Sequence, residues 1–569
     1  MKKIAVVSSI CFDIAYSLLV GIFTIFFLSF CGFIFHLNIN IIYPILAIIT
    51  MYTTLFVLLK NKEYSKKKCF YSFLILSLVL LVSLLLSYFS YDSSWDGRTY
   101  HQLSVILLGN GWNPVYDYVN QFSMNLFGIE SKHLIWVENY PKFVEIVAAN
   151  FLVLTKHIEC GKVVNLLSSV MVFCYSSYIL NKMPFDKLNK FIKVILPFLL
   201  LYNPVVVAQI MTYYIDCTVY FYFMLILLAI IDIETNNKVS KLPFSILIMS
   251  SIILINIKLS GILYAILPFA IYGFYLAIYK QTEKLKSLVT ALILVVIMGI
   301  LSGINPYFTN IQQHRHPFYP LAGKDKIDFM TPSTPIQLES KNIAYNFFMA
   351  TFSQVDNMSD EYRYSKMQLK IPFTINKGEL NKLVFPDTRV SGFGVFWSGI
   401  LILSLFLSFF IRYNSSEDKK LGLLIYSIIL ALLIINPYSW WARYVPHLWI
   451  LPIFIIIFLL IGEKQYKKVA FISYCVLLIM FINSTISTIY ALKVERNYRE
   501  TINKFFQKIP KGKLIKFYGN EEVSFSQKLK ERNIPYEFVG NKYYKANYSN
   551  FELVPLSYIH LNTKEKCND

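Results

Sequence analysis

Apolar positions in this chain gather into long runs rather than short alternating stripes. Runs long enough to cross a bilayer fall at residues 9–35, 41–59, 69–91, 162–181, 194–211, 215–232, 243–257, 261–279, 287–304, 391–412, 421–436, 446–462 and 469–490. A helix needs roughly 20 apolar residues to cross the hydrocarbon core. The pattern therefore predicts an all-α polytopic membrane protein of about 13 transmembrane helices, forming one domain over residues 1–490. One further apolar segment, residues 143–155, is too short to span and carries Glu145. It is expected as an interfacial or half-inserted helix opened by Tyr140-Pro141. Two long polar loops remain, 92–142 and 305–390. After residue 490 the pattern changes to mixed and charged. A strand over 513–518, an amphipathic helix over 521–532 and a strand over 535–539 predict a small extracytoplasmic α/β domain at 491–569.

Charge orients the spans. Lys2/Lys3, 60–68, 182–193, Lys238/Lys241, 280–286, 412–420 and 464–468 are the lysine-rich connections, and thirteen spans place all of them on one side. The positive-inside rule makes that side cytoplasmic. The expected location is the cell membrane, multi-pass, with the N-terminus cytoplasmic and the C-terminus extracytoplasmic. The net charge of +20 on 569 residues is then a matter of basic loops beside anionic headgroups, with no nucleic acid partner. A composition 56% hydrophobic and only 15% charged excludes a soluble globular protein. The cysteines form no CxxC pair and lie mostly in or beside apolar runs, where they serve as small hydrophobes.

The outer side holds the candidate chemistry. Trp95-Asp96-Gly97-Arg98-Thr99-Tyr100-His101-Gln102 follows the third run and crowds a carboxylate, a guanidinium and an imidazole together. Residues 100–108 read as a short helix stopped by Gly109, Gly111 and Pro114, with Asp92 at the membrane edge. Asn203-Pro204, Asn305-Pro306 and Asn436-Pro437 each stand near an outer helix end, where freed carbonyls are expected to line a polar cavity. Asp216 follows Thr212-Tyr213-Tyr214, and Lys258 lies in a break at 256–261; each is either functional or merely interfacial. Arg443 sits in Trp440-Trp441-Ala442-Arg443-Tyr444, where the tryptophans mark the interface belt and the guanidinium can fork a phosphate. His314-x-His316 has the form of a metal pair, but spacing supplies no third ligand, and Phe318 and Tyr319 suit a packed loop wall. Aromatic platforms with a few carboxylates suit sugar rings, and cations at the boundary suit a lipid phosphate.

These residues carry a resemblance. Trp95-Asp96-Gly97-Arg98-Thr99-Tyr100-His101, Tyr140-Pro141, Tyr202-Asn203-Pro204 and Thr212-Tyr213-Tyr214-Ile215-Asp216 resemble the GT-C superfamily of integral membrane glycosyltransferases. Within it, the protein O-mannosyltransferase and aminoarabinose transferase branch is the most similar. The resemblance covers residues 69–310 and implies catalytic acids at Asp96 and Asp216. It departs from the family in two ways: two extra spans precede the loop, and Gly97 stands where the family often has a second acid.

The implied function is sugar transfer from a polyprenyl-phosphate donor to an acceptor on the outer face of the membrane. Asp96 would act as general base, and Asp216 as second catalytic acid. Arg98, Tyr100, His101, Lys258, Arg443 and Trp441 would bind substrate, with Arg98 keeping Asp96 ionised. The partners would be a polyprenyl-phosphate-linked sugar, a glycan, lipid or protein acceptor, and membrane lipids. No cofactor is assigned, and a divalent metal stays open. A lipid-linked sugar flippase or transporter, or a polysaccharide polymerase or ligase, is the alternative.

Overall fold

The computed structural model describes residues 2–128, 131–236, 239–357, 363–364, 366–383, 386–462, 467–509, 512–518, 523–539, 541–547, 549, 551–554 and 559–562. A helix stands on each of the thirteen apolar runs, from Lys2–Ile34, Ile42–Asn61 and Lys66–Phe89 to Lys467–Gln507. Among the described residues, eight helices are long and apolar enough to cross a membrane by length and composition. The protein is therefore multi-pass, while the full count of thirteen crossings is not fixed by helix length. The shorter ones show why. The run at 194–211 is broken by Tyr202-Asn203-Pro204 into Lys190–Leu201 and Pro204–Gln209. The run at 391–412 contributes only the twelve-residue helix Trp397–Ser408, because residues 391–396 fold as turns. The run at 446–462 opens with a single tight turn, Pro446–Trp449, before Ile450–Ile461.

Asp216–Thr235 is the central helix. Eighteen of its residues, from Asp216 to Ile233, are buried, so an all-round apolar surface means burial in protein here rather than contact with lipid. Lys66–Phe89 is the opposite case: Leu78, Leu81, Leu85 and Phe89 are exposed large hydrophobics on a peripheral helix. The segment between them is compact. Phe143–Thr155 is a thirteen-residue helix, about 20 Å long at 1.5 Å per residue, and Phe143 to Leu152 are all buried. It is walled by protein on every side, and its neighbour Gln102–Gly109 is likewise buried from Gln102 to Leu108.

The last apolar helix runs through residue 490 without a break to Gln507. Its packing changes hands there. Tyr498, Ile502 and Phe505 join Ile515, Phe517, Phe525, Leu529 and Leu561 in a separate core. That core backs a four-stranded sheet of order β2-β1-β4-β3: β1 (Ile515–Tyr518), β2 (Tyr536–Phe538), β3 (Phe551–Leu553) and β4 (His560–Asn562). β1 and β2 pair in parallel across the helix Phe525–Lys530, with Ile515 opposite Tyr536, and β4 joins β1 antiparallel. The expected strand–helix–strand order is present. The expected helix start at Glu521 lies outside the described residues, as do Lys238 and Lys464 of the basic loops.

The C-terminal unit is bolted to the membrane domain. Lys528 Nζ lies 2.5 Å from Glu159 Oε1, and the Ile158 amide donates to Glu531 Oε1 at 2.6 Å. The Ser524 hydroxyl donates to the Arg98 carbonyl, and Arg98 Nη1 donates to the Tyr498 hydroxyl at 3.2 Å.

Candidate active site

The loop after Lys66–Phe89 is built around Asp92. The sequence places Asp92 at the membrane edge, but it is fully buried. Its Oδ1 accepts from the Ser94 amide at 2.8 Å and the Ser94 hydroxyl at 2.6 Å, and its Oδ2 accepts from the Tyr213 amide at 3.2 Å. Burial first, then Glu159, pushes its carboxyl above the usual range. Asp92 ties the Asp96 loop to the Tyr213 turn. Replacing it with Asn sets an amide N–H against the Tyr213 amide. A loss of roughly 1–3 kcal/mol in stability is expected, the cost of a buried unpaired donor, measurable as a fall in unfolding temperature in detergent.

Beyond Asp92 the backbone makes one π-turn, Gly97–His101, before Gln102–Gly109 begins. Such turns widen a helix by one residue and bring residues five apart into line. The turn presents Asp96, Tyr100 and His101 to a cavity of about 1870 Å³. Asp216, Lys258, Trp441 and Arg443 line the same cavity, together with Asp387, Arg389, Tyr140, Tyr214, Tyr264 and Tyr444. Ile262, Leu263, Ile266, Leu267 and Ala270 form one apolar wall, at the spacing of a single face of Gly261–Ile278. Val494, Asn497, Tyr498 and Leu553 close the cavity from the C-terminal unit.

Arg443 is the centre of the polar end. Its Nη1 lies 3.0 Å from Asp96 Oδ2 and 3.6 Å from Asp216 Oδ2, and its Nε lies 3.0 Å from Asp387 Oδ1. Tyr214, Trp441 and Tyr444 face the guanidinium with ring centroids 4.8 to 5.2 Å away. Burial disfavours its charge, but the carboxylates of Asp387 and Asp96 hold it protonated, well above the ordinary value. The fork that the sequence offers to a phosphate is turned instead on carboxylates. Lys258 Nζ meets Asp216 Oδ1 at 2.6 Å and lies 4.4 Å above the Tyr444 ring.

The three carboxylates differ in occupancy. Asp387 is saturated: Arg389 reaches its Oδ2 at 2.7 and 2.9 Å, and the Trp441 indole donates to Oδ1 at 2.9 Å. Asp216 has Lys258 on Oδ1 and a buried Oδ2 that accepts no hydrogen bond. Asp96 accepts from Arg443 on Oδ2 alone among the described residues, and 14% of its side chain is exposed. It is the acid with an oxygen to spare and an opening to the cavity. Burial first and Asp96 second raise the Tyr100 and Tyr214 phenols well above their usual value, so both stay neutral hydroxyls.

Several expectations need correction. Arg98, expected to keep Asp96 ionised, lines the same cavity, where its Nε donates to the Ser94 carbonyl at 3.1 Å and its head reaches Tyr498. Trp440 and Trp441 are not interface anchors, being 3% and 1% exposed and packed with Met330, Leu338 and Val390. Of the three Asn-Pro breaks, only Asn436-Pro437 lines the cavity. Asn203 Nδ2 instead holds the Pro446 carbonyl at 3.0 Å, and Asn305 Oδ1 accepts from buried Lys142. Burial lowers Lys142 to about 8. His101 lies on the cavity wall with Nδ1 against Glu145. His314 stacks on Tyr319 at 3.6 Å, and His316 accepts from the Phe318 amide at 3.1 Å, as a loop wall does.

Asp387 and Arg389 are the site residues that sequence reading missed. Asp387-Thr388-Arg389 sits at the end of the 305–390 loop, just before an apolar run, as Asp96-Gly97-Arg98 sits just after one. That acid–x–base spacing was the available signal. The Ala442 and Arg443 amides donate to the Arg389 and Thr388 carbonyls at 3.1 Å, which locks Arg443 to this stretch.

Comparison with protein families finds no matching family model, and comparison with curated proteins finds no match. Two solved structures align with most of this chain. One is ArnT from Cupriavidus metallidurans bound to undecaprenyl phosphate, with 10% identity, a TM-score of 0.47, and coverage of 87% of this chain and 98% of that one. The other is ArnT from the same organism in the apo state, with 10% identity, a TM-score of 0.43, and coverage of 86% and 98%.

Proposed function

We propose that the protein is a membrane glycosyltransferase that moves a sugar from a polyprenyl-phosphate donor to an acceptor hydroxyl. The observation that carries this reading is the cavity itself. At one end three carboxylates and three cations meet among tyrosine and tryptophan rings, and at the other a single helix face supplies an apolar wall. A lipid tail needs the second and a sugar phosphate needs the first.

Asp96 takes the proton of the acceptor hydroxyl as its oxygen attacks the anomeric carbon from the side opposite the phosphate. The bond from that carbon to the phosphate oxygen breaks, its electron pair leaves with the polyprenyl phosphate, and configuration inverts. Lys258, with 19% of its side chain exposed on the cavity, would meet the charge that grows on the leaving phosphate. Asp216 holds Lys258 at that place.

The test is mass spectrometry on the purified protein in lipid nanodiscs supplied with a panel of undecaprenyl-phosphate sugars and candidate acceptors. Asp96-dependent appearance of undecaprenyl phosphate and a glycosylated product is expected. If instead lipid-linked sugar crosses a sealed vesicle unchanged, the protein is a flippase. A product enlarged by a whole glycan makes it a polymerase or ligase.

The positions of helix ends support an outward-facing cavity. Cavity residues lie at the C-terminal end of Lys66–Phe89, the N-terminal end of Asp216–Thr235, the break at 256–261 and the C-terminal end of Ser416–Ile435. The basic loops 60–68, 280–286 and 412–420 lie at the opposite ends of these helices or their partners. With those loops cytoplasmic, the cavity and the C-terminal unit face outward. In cysteine-free protein, Lys508→Cys is expected to react with an impermeant thiol reagent added outside, and Lys187→Cys only after lysis. The reverse pattern would overturn the orientation.

A further inference from the structure

We propose that Arg443 is the resident cation of the three-carboxylate centre and takes the place a divalent metal would otherwise fill. Three acids converging beside a sugar-phosphate cavity invite a metal, and the residues present do not fit one. A divalent ion requires carboxylate oxygens at about 2.0–2.6 Å. Here the oxygens gather around one guanidinium: Asp96 Oδ2 accepts from Nη1 at 3.0 Å, and Asp216 Oδ2, 3.6 Å from Nη1, and Asp387 Oδ1, 3.0 Å from Nε, approach it as ion pairs outside hydrogen-bond geometry. The others are largely engaged. Lys258 holds Asp216 Oδ1, Arg389 holds Asp387 Oδ2, and the Trp441 indole shares Asp387 Oδ1. Among the described residues no three His, Cys, Asp or Glu side chains stand as a metal-ligating set.

The charge balance agrees with the geometry. Asp96, Asp216 and Asp387 are matched by Arg443, Arg389 and Lys258. A further two positive charges would stand unpaired in a buried site, where ionic groups persist only when paired. The guanidinium is also fixed: the rings of Tyr214, Trp441 and Tyr444 surround it, and its backbone is pinned to Thr388. Arg443 is thus a positioning residue, which sets the spacing of Asp96 and Asp216 and neutralises their mutual repulsion. What this does for turnover rests on the function proposed above, but the cation assignment does not.

Manganese is the probe, and electron paramagnetic resonance on the full chain in nanodiscs is the readout. Wild type is expected to bind no Mn²⁺ at equimolar concentration. Arg443→Met leaves three carboxylates one cation short around a space of similar size, and is expected to bind one Mn²⁺, tighter than wild type by on the order of tenfold or more. Adding Asp387→Asn to that variant is expected to abolish the gain. Stoichiometric Mn²⁺ on wild type that Asp96→Asn removes would overturn the proposal, as would a folded Arg443→Met that binds no more than wild type. Should Arg443→Met not fold, wild type against Asp96→Asn still decides, because only a true metal centre distinguishes them. No sugar donor enters these measurements, so an absence of transferase activity would overturn the proposed function and leave the cation assignment standing.

Discussion

Asp96→Asn is expected to lower sugar transfer by on the order of 10²–10⁴, the range a positioned general base contributes, while the unfolding temperature stays where it was. The substitution keeps the size of the side chain and an oxygen for Arg443 Nη1, which holds Asp96 Oδ2 at 3.0 Å. It removes only the capacity to take a proton. Single-turnover rates at saturating donor isolate that step, since an interaction made in the transition state alone lowers the rate without raising the apparent donor affinity constant. Asp387→Asn gives the contrast: its oxygens are taken by Arg389 and Trp441, so its loss is expected to loosen the Arg443 loop and lower stability as well. An Asp96→Asn protein that keeps more than a tenth of wild-type turnover would move the base to Asp216, whose Oδ2 is the remaining oxygen without a hydrogen bond.

Gly97→Ala, a change of one methyl, is expected to be nearly as damaging. A Cβ on Gly97 would stand 1.8 Å from Asp92 Oδ2 and 2.3 Å from Ser94 Oγ. Both neighbours are held by short hydrogen bonds inside the buried loop, so neither can swing aside freely. Either the Asp92 carboxylate leaves the Tyr213 amide or the π-turn lifts away from it. The first route costs roughly 1–3 kcal/mol of stability through overpacking. The second moves Asp96, and a misplacement of about 1 Å is worth on the order of 10² in rate. The measurement is thermal unfolding and single-turnover rate on the same preparation. Wild-type values for both would show that the loop yields without consequence. The same contact leaves no room at residue 97 for any side chain.

Long apolar runs made the helices legible, because a bilayer-length helix leaves a mark that needs no tertiary knowledge. The break at 202–204, the short helix after Tyr140-Pro141 and the strand–helix–strand of the tail were equally readable from Pro, Gly and period. Side-chain partnership was not. Asp92 and Asp96 look alike in the sequence, four residues apart beside the same span, yet one is fully buried in backbone hydrogen bonds and the other opens on the cavity. Arg98 is near Asp96 in sequence, but Arg443, 347 positions away, is its partner. Trp440 and Trp441 have the composition of an interface belt, and only the fold shows them turned inward against Val390 and Met330. Asp387 was hidden because a long polar loop offers many carboxylates and no periodicity to rank them.

The docking of the C-terminal unit fixes an order of assembly. The Asp96 loop is held by Tyr498, 400 positions later, and by Ser524, 426 positions after Arg98. Translation and membrane insertion deliver the loop first, so it spends the synthesis of nearly all the remaining helices without those two clasps. The cavity likewise lacks one wall until Tyr498 and Leu553 arrive. A nascent chain of this protein is therefore a membrane bundle with an open, unfinished cavity. The last wall is set only when the small sheet domain folds and settles on the loop.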